Sequence, residues 1–285
     1  VYLFPILMKQ FILKSCIFIL ITIAICFCIL FSIPPEKDHF LAELRVKKEL
    51  LKKTPSPKIV FMSGSNLLFG FDSERISKKT KKNVVNYGFT LNLGLKNIAD
   101  QIYPHLNTGD TLIMVLEYQH YADGFYASDS PDLWYLIQYD PEILKYFTHP
   151  RQILHLIRSF PESIKYKIKY AFSKKDMSSN KLDQFNTYGD YLGYGTTSKR
   201  VIGTPNWHIQ NIPDSFIYLN KMQQKLEAKG VTLLITFPPI TESAYSKYEK
   251  EINDTYSKLK DLPVCGTPKN YIYPDTGFYD DVYHL

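Results

Sequence analysis

Two short stretches carry residue types that could do nucleophilic chemistry. The first is Ser63-Gly64-Ser65-Asn66, a small polar corner directly after the apolar run KIVFM. The second is Asp281-Val282-Tyr283-His284, at the end of the sequence. A serine hydroxyl is a poor nucleophile until a histidine takes its proton, and an acid must hold that histidine in one tautomer. Two positions three apart in one tight segment can supply base and orienter together. The corner also has a plainer reading, because a strand-to-helix turn needs residues that tolerate unusual backbone angles. Both readings stay open at this point.

Other chemistries find less support. His120, His149, His155 and His208 show no metal-ligand spacing, and the four cysteines form no CxxC. Cys16, Cys26 and Cys28 lie in the apolar N-terminal stretch and only Cys265 lies outside it, so no disulfide is expected in the rest of the chain. Neither a GxxxxGK[ST] nor a GxGxxG phosphate cradle is present, so no metal and no cofactor is expected. The net charge of +6 comes from lysines scattered along 285 residues. That is a solvated surface and argues against a nucleic-acid partner. The many tyrosines and phenylalanines read as core or groove walls.

The elements that must position these residues follow from periodicity. KIVFMS (58–63), KNVVNYGF (82–89), DTLIMVLEY (110–118) and VTLLITF (231–237) read as buried strands. Helical spacing falls between them at 91–106 and 215–230, and after the last at 243–262. Continuous apolar strands alternating with helices predict an α/β fold with a mostly parallel sheet covered on both faces. Residues 119–213 break the rhythm and read as an insertion over the carboxyl ends of the strands, where α/β proteins bind ligands. Within it, 150–172 fits one or two helices.

Ahead of this domain, CIFILITIAICFCILFSI (16–33) carries no charge and approaches the roughly 20 residues that a bilayer demands. With Pro34-Pro35 after it and no small-x-small cleavage site, it predicts one uncleaved transmembrane helix within residues 1–35. Residues 36–57 read as a charged, partly helical stalk closed by TPSP (54–57), and 58–285 as the domain. Lys37, Arg45, Lys47, Lys48, Lys52 and Lys53 follow the span, so a count of basic residues does not favour an outside C-terminus.

The order of these blocks resembles the SGNH/GDSL hydrolases. A strand runs into SGSNLLFG, and aligning Gly70 with that family's following glycine puts Ser65, not Ser63, at the nucleophile position. Asn86-Tyr87-Gly88 ends the second strand where the family uses a glycine N–H in its oxyanion hole, beside the N–H of the serine. Asp281 and His284 match the family's Asp-x-x-His. The resemblance covers about 58–285, with the insertion unmatched, and implies a three-layer α/β/α fold. One block departs from the pattern. The family places an asparagine after the third strand, and VLEYQHY offers Glu117 and Gln119 instead. An ionised glutamate would repel an oxyanion, so Gln119 substitutes, backbone donors act alone, or the site is altered.

Anchored members of this kind include proteins of alginate O-acetylation and of teichoic-acid D-alanylation, and FPP (237–239) suits members that modify envelope polymers. The resemblance therefore implies a membrane-anchored serine esterase or O-acyltransferase, outside the cytoplasm, acting on a cell-envelope polysaccharide. A polysaccharide or acyl-donor substrate and a membrane acyltransferase partner come with that class. The alternative is a non-catalytic glycan- or partner-binding module of an envelope assembly or export complex. The sequence stops at Leu285, directly after the proposed base, where this fold would add a closing helix; a fragment would stop so.

Overall fold

A computed structural model describes residues 3–36, 39–122, 126, 133–173, 182–193, 205–207 and 209–285. It opens with α1 (Leu3–Ser32), whose residues 8–32 are long and apolar enough to cross a membrane. Then come α2 (Glu43–Lys53), β1 (Lys58–Ser63), the short α3 (Ser65–Leu68), α4 (Ser73–Thr80) and β2 (Asn83–Gly88). α5 (Leu95–Ile102), β3 (Thr111–Val115), α6 (Leu133–Tyr139) and α7 (Pro150–Ser173) follow. The chain closes with α8 (Pro213–Ala228), β4 (Thr232–Thr236), β5 (Ile240–Thr241), α9 (Glu242–Lys258) and β6 (Ile272–Tyr273).

Four strands form one parallel sheet in the order β2-β1-β3-β4. Side chains alternate across it, as strand geometry requires. Val60, Met62, Val85, Tyr87, Leu112 and Met114 enter the large core. Their neighbours Ile59, Phe61, Val84 and Val115 pack with Leu67, Phe71 and Ile76 in a smaller cluster. Both faces are covered, which explains why the strands read as unbroken apolar runs. Ser63 pairs with Gly88 at the carboxyl edge, so the ends of β1 and β2 are level there.

Residues 43–53 are not a stalk. They form α2, and its Leu44 and Leu51 are fully buried in the main core. Lys47 is buried with them, and its ammonium donates to the carbonyls of Asn86, Gly88 and Gly189 at 3.1, 2.6 and 2.7 Å. Burial pushes this lysine's pKa down, and nearby Glu43 and Asp190 oppose that shift. Lys48 is also buried and pairs with Asp140 and Glu142 at 2.7 Å each. The helix reads as solvated because it is charged, but charge and polar partners were buried together.

The insertion divides in two. α7 is one helix that packs with α6 against α1, and Phe27 meets Trp134 and Phe160 there. The loop 182–193 instead closes on the carboxyl end of β2, where Asn86 N–H donates to Tyr188 O at 3.0 Å. Asp190 ties that loop down by accepting from Ser73, Asn86 and Asn186. Gln119 and Trp207 of the same insertion also come to the strand ends, where both meet Tyr283; residues 123–125, 127–132, 174–181, 194–204 and 208 lie outside the described ones.

Candidate active site

β1 ends in the corner that lifts Ser65. Ser63 is fully buried and its hydroxyl bonds Asn66 Oδ1 and Val115 O, so it faces into the sheet. Asn66 also donates its side-chain amide to Val115 O at 3.1 Å. These bonds pin the corner to the end of β3 and leave Ser65, half-buried, as the outward hydroxyl. Gly64 is required by closeness. A Cβ there would stand 2.5 Å from Glu117 Oε1 and 3.0 Å from the Leu91 nitrogen.

The end of the chain comes to this corner. His284 Nε2 lies 3.0 Å from Ser65 Oγ, within hydrogen-bond reach for a base and its nucleophile. The ring is buried and sits 4.7 Å, centroid to centroid, from Phe69. Its segment is fixed by Thr241 N–H donating to Val282 O at 3.2 Å and by Tyr283, which stacks on Trp207 at 5.1 Å. Gly70 lets the tail approach. Its φ is +79°, a left-handed geometry suited to glycine, and a Cβ there would collide with the Leu285 carbonyl.

The carboxylate on the other ring nitrogen is Asp280, not Asp281. Asp280 Oδ1 lies 2.7 Å from His284 Nδ1. Asp281 accepts from Tyr283 N–H at 3.1 Å instead, and its carbonyl accepts from His284 N–H at 3.2 Å. Asp281 thereby closes the turn that swings the imidazole back to Asp280. Asp-x-x-His spacing names the right histidine, but the turn's own hydrogen bonds decide which neighbour reaches it.

Gly88 does not offer the expected N–H. That group donates to the Asn86 side chain at 2.8 Å, and the Gly88 carbonyl accepts from Lys47. Gly88 is there for packing, since a Cβ would strike Leu67 and Asn86. Gln119 is buried and its Oε1 accepts from Tyr283 OH at 2.8 Å, so it braces the histidine segment.

Glu117 is the carboxyl nearest the nucleophile. Its Oε1 accepts from Asn66 N–H at 3.1 Å and lies 3.4 Å from Ser65 Oγ. Only 2% exposed, it has its pKa pushed up to about 7 by burial, against the lowering effect of the Asn66 hydrogen bond and of His284. A neutral Glu117 is a donor, and an ionised one is an anion beside the place where an oxyanion would form. The residues that sequence reasoning missed are Asp280, the backbone of Asn66, and Lys47 behind the end of β2. Only Asp280 had a visible signal, as the second carboxylate of the Asp-Asp pair.

No family model and no curated protein matches the chain. The geometry therefore stands on its own residues. Ser65, His284 and Asp280 form a hydrogen-bonded chain at the carboxyl end of a parallel sheet. Of the other histidines singled out in the sequence, His120 is fully buried, with its pKa pushed down to about 3 by burial, and His149 stands 4.0 Å from Asp214. His155 is half-buried on α7, and His208 is outside the described residues. Among the described residues no His, Cys, Asp or Glu cluster of three could hold a metal ion.

Proposed function

We propose that the protein is a membrane-anchored, SGNH-like serine esterase or O-acyltransferase acting on a cell-envelope polysaccharide. The observation that carries this reading is the Ser65–His284 contact at 3.0 Å with Asp280 on the far ring nitrogen at 2.7 Å. In the first step Ser65 Oγ attacks an acyl carbonyl while its proton passes to His284 Nε2. Asp280 holds the Nδ1–H and stabilises the imidazolium that results. The leaving alcohol takes the proton back, and the acyl group stays on Ser65 as an ester. Water or a sugar hydroxyl then gives its proton to His284 and attacks the ester, and the Ser65 oxygen leaves as it takes that proton from His284.

The oxyanion of each tetrahedral intermediate needs donors. Asn66 N–H donates to Glu117 Oε1 and serves the oxyanion only once that bond opens, and Glu117 is a second donor when it is protonated. The three-layer arrangement of this class agrees with a parallel sheet covered on both faces. The apolar α1 suits an anchor that holds the domain at the envelope, outside the cytoplasm and beside a membrane acyltransferase partner that would supply acyl groups. An acetylated envelope polysaccharide tests the reading. Purified protein should release or transfer acetate, and Ser65→Ala should lose it; equal turnover by the two proteins would end the enzyme reading.

Glu117 favours a second reading. Its carboxylate already holds the Asn66 N–H, so with Glu117 ionised the site resembles one closed to an acyl oxyanion. In that case the domain is a non-catalytic glycan- or partner-binding module. It would bind polysaccharide without turnover at any pH, and Ser65→Ala would bind it equally well.

A further inference from the structure

α7 has an exposed apolar face. Ile153, Ile157, Ile168 and Phe172 recur at helical spacing, with Leu154 beside them. Their exposures are 51, 64, 40, 87 and 43%, so these side chains are in the open. Among the described residues, eleven large apolar side chains outside α1 are exposed and five of them are on this one helix. Single exposed apolar residues need no explanation, but a stripe of five does. Arg158, Lys165 and Lys169 are exposed along one border of the stripe, about a quarter-turn round the helix.

The position of the helix says what covers that face. On its packed side Phe160 meets Phe27 of α1 at 5.2 Å between centroids. Lys167 donates to the carbonyl of Ile33, and Tyr166 OH lies 3.4 Å from Glu36 Oε2, just past the end of α1. Phe27 is five residues from Ser32, about 7–8 Å along the axis of α1 at helical rise. Amphipathic helices that lie in a membrane interface bury their apolar face by about 5–10 Å. α7 is thus held against the carboxyl end of the apolar helix, where the domain meets the candidate span.

We infer that α7 lies in the membrane–water interface, with its isoleucine and phenylalanine face on acyl chains and its basic border among anionic lipid headgroups. The contact makes the bilayer a second point of attachment and fixes the tilt of the domain on its anchor. It stands apart from the chemistry at Ser65 and would hold for an enzyme or a binding module.

The test uses the full chain with all four cysteines replaced by alanine, reconstituted sparsely in phosphatidylglycerol-containing vesicles. A polarity-sensitive fluorophore is attached through Ile157→Cys or Phe172→Cys, with Glu162→Cys on the polar face and Lys221→Cys on α8 as references. Emission at 157 and 172 should shift to the blue and be quenched by nitroxide-bearing lipid, while 162 and 221 should do neither. The quenching should deepen as phosphatidylglycerol replaces phosphatidylcholine. Labels at 157 and 172 that match the references would overturn the inference. So would protection that vanishes when the protein is diluted among vesicles, because a second copy would then be the cover.

Discussion

The corner that carries Ser65 and the tail that carries His284 meet at one hydrogen bond, and they are held in place differently. Around Ser65 everything is interior: Ser63 is fully buried, Asn66 is 4% exposed, and their side chains are bonded to the end of β3. The tail buries Val282, Tyr283 and His284 but leaves both aspartates in water. In the corner the sheet dictates which serine turns outward. In the tail the choice between two adjacent carboxylates rests on a few hydrogen bonds of a turn. Changes that disturb the packing of the corner should therefore cost stability, and changes to the tail's exposed aspartates should cost chemistry alone.

The aspartate pair gives the largest expected effect. Asp280→Asn removes the charge that orients and stabilises the imidazolium, and the turnover rate should fall by about 10⁴-fold with little change in melting temperature. Asp281→Asn keeps an oxygen that can accept from Tyr283 N–H, so rate and melting temperature should both stay near native. Rates measured on the two variants side by side check this. A greater loss in Asp281→Asn would return the orienting role to that residue.

Glu117→Gln sharpens the corner's side of the comparison through pH. The unfolded chain ionises this carboxyl near its ordinary value of 4.5, while in the folded protein it holds its proton up to about 7. The stability this group contributes is thus complete below about 4.5, is lost as pH rises to about 7, and changes little above that. The loss amounts to about 3 kcal/mol. Denaturant titrations should show native protein losing stability relative to Glu117→Gln across this window. Above pH 7 the variant should also turn over substrate about tenfold faster, since a neutral donor then faces the oxyanion.

Gly64→Ala has the smallest expected effect. Its methyl must displace Glu117 or the Leu91 backbone, and overpacking of this kind costs about 1–3 kcal/mol. Thermal unfolding should show a lower melting temperature. An unchanged melting temperature would mean that the corner relaxes more easily than its burial implies.

The four strands were legible because a sheet covered on both faces demands unbroken apolar runs, and β1 coincides with KIVFMS residue for residue. The Ser65–His284 encounter was legible from block order. What could not be read was where charge goes when it is buried. Lys47 looked solvated until three carbonyls converged on it. Gly88 looked like a donor because its backbone was visible in the sequence while the Asn86 side chain that occupies it was not. Asp280 and Asp281 differ only in the turn between them, and spacing carries no record of that turn.

His284, oriented by Asp280, activates Ser65 as a nucleophile. A fluorophosphonate probe followed by peptide mass mapping tests it most directly, because the probe bonds covalently only to an activated serine. The prediction is one adduct, on Ser65, formed rapidly by the native protein, slowly by Asp280→Asn, and absent from Ser65→Ala and His284→Ala. Failure of native protein to label between pH 6 and 9, or labelling that persists in His284→Ala at the native rate, would contradict it.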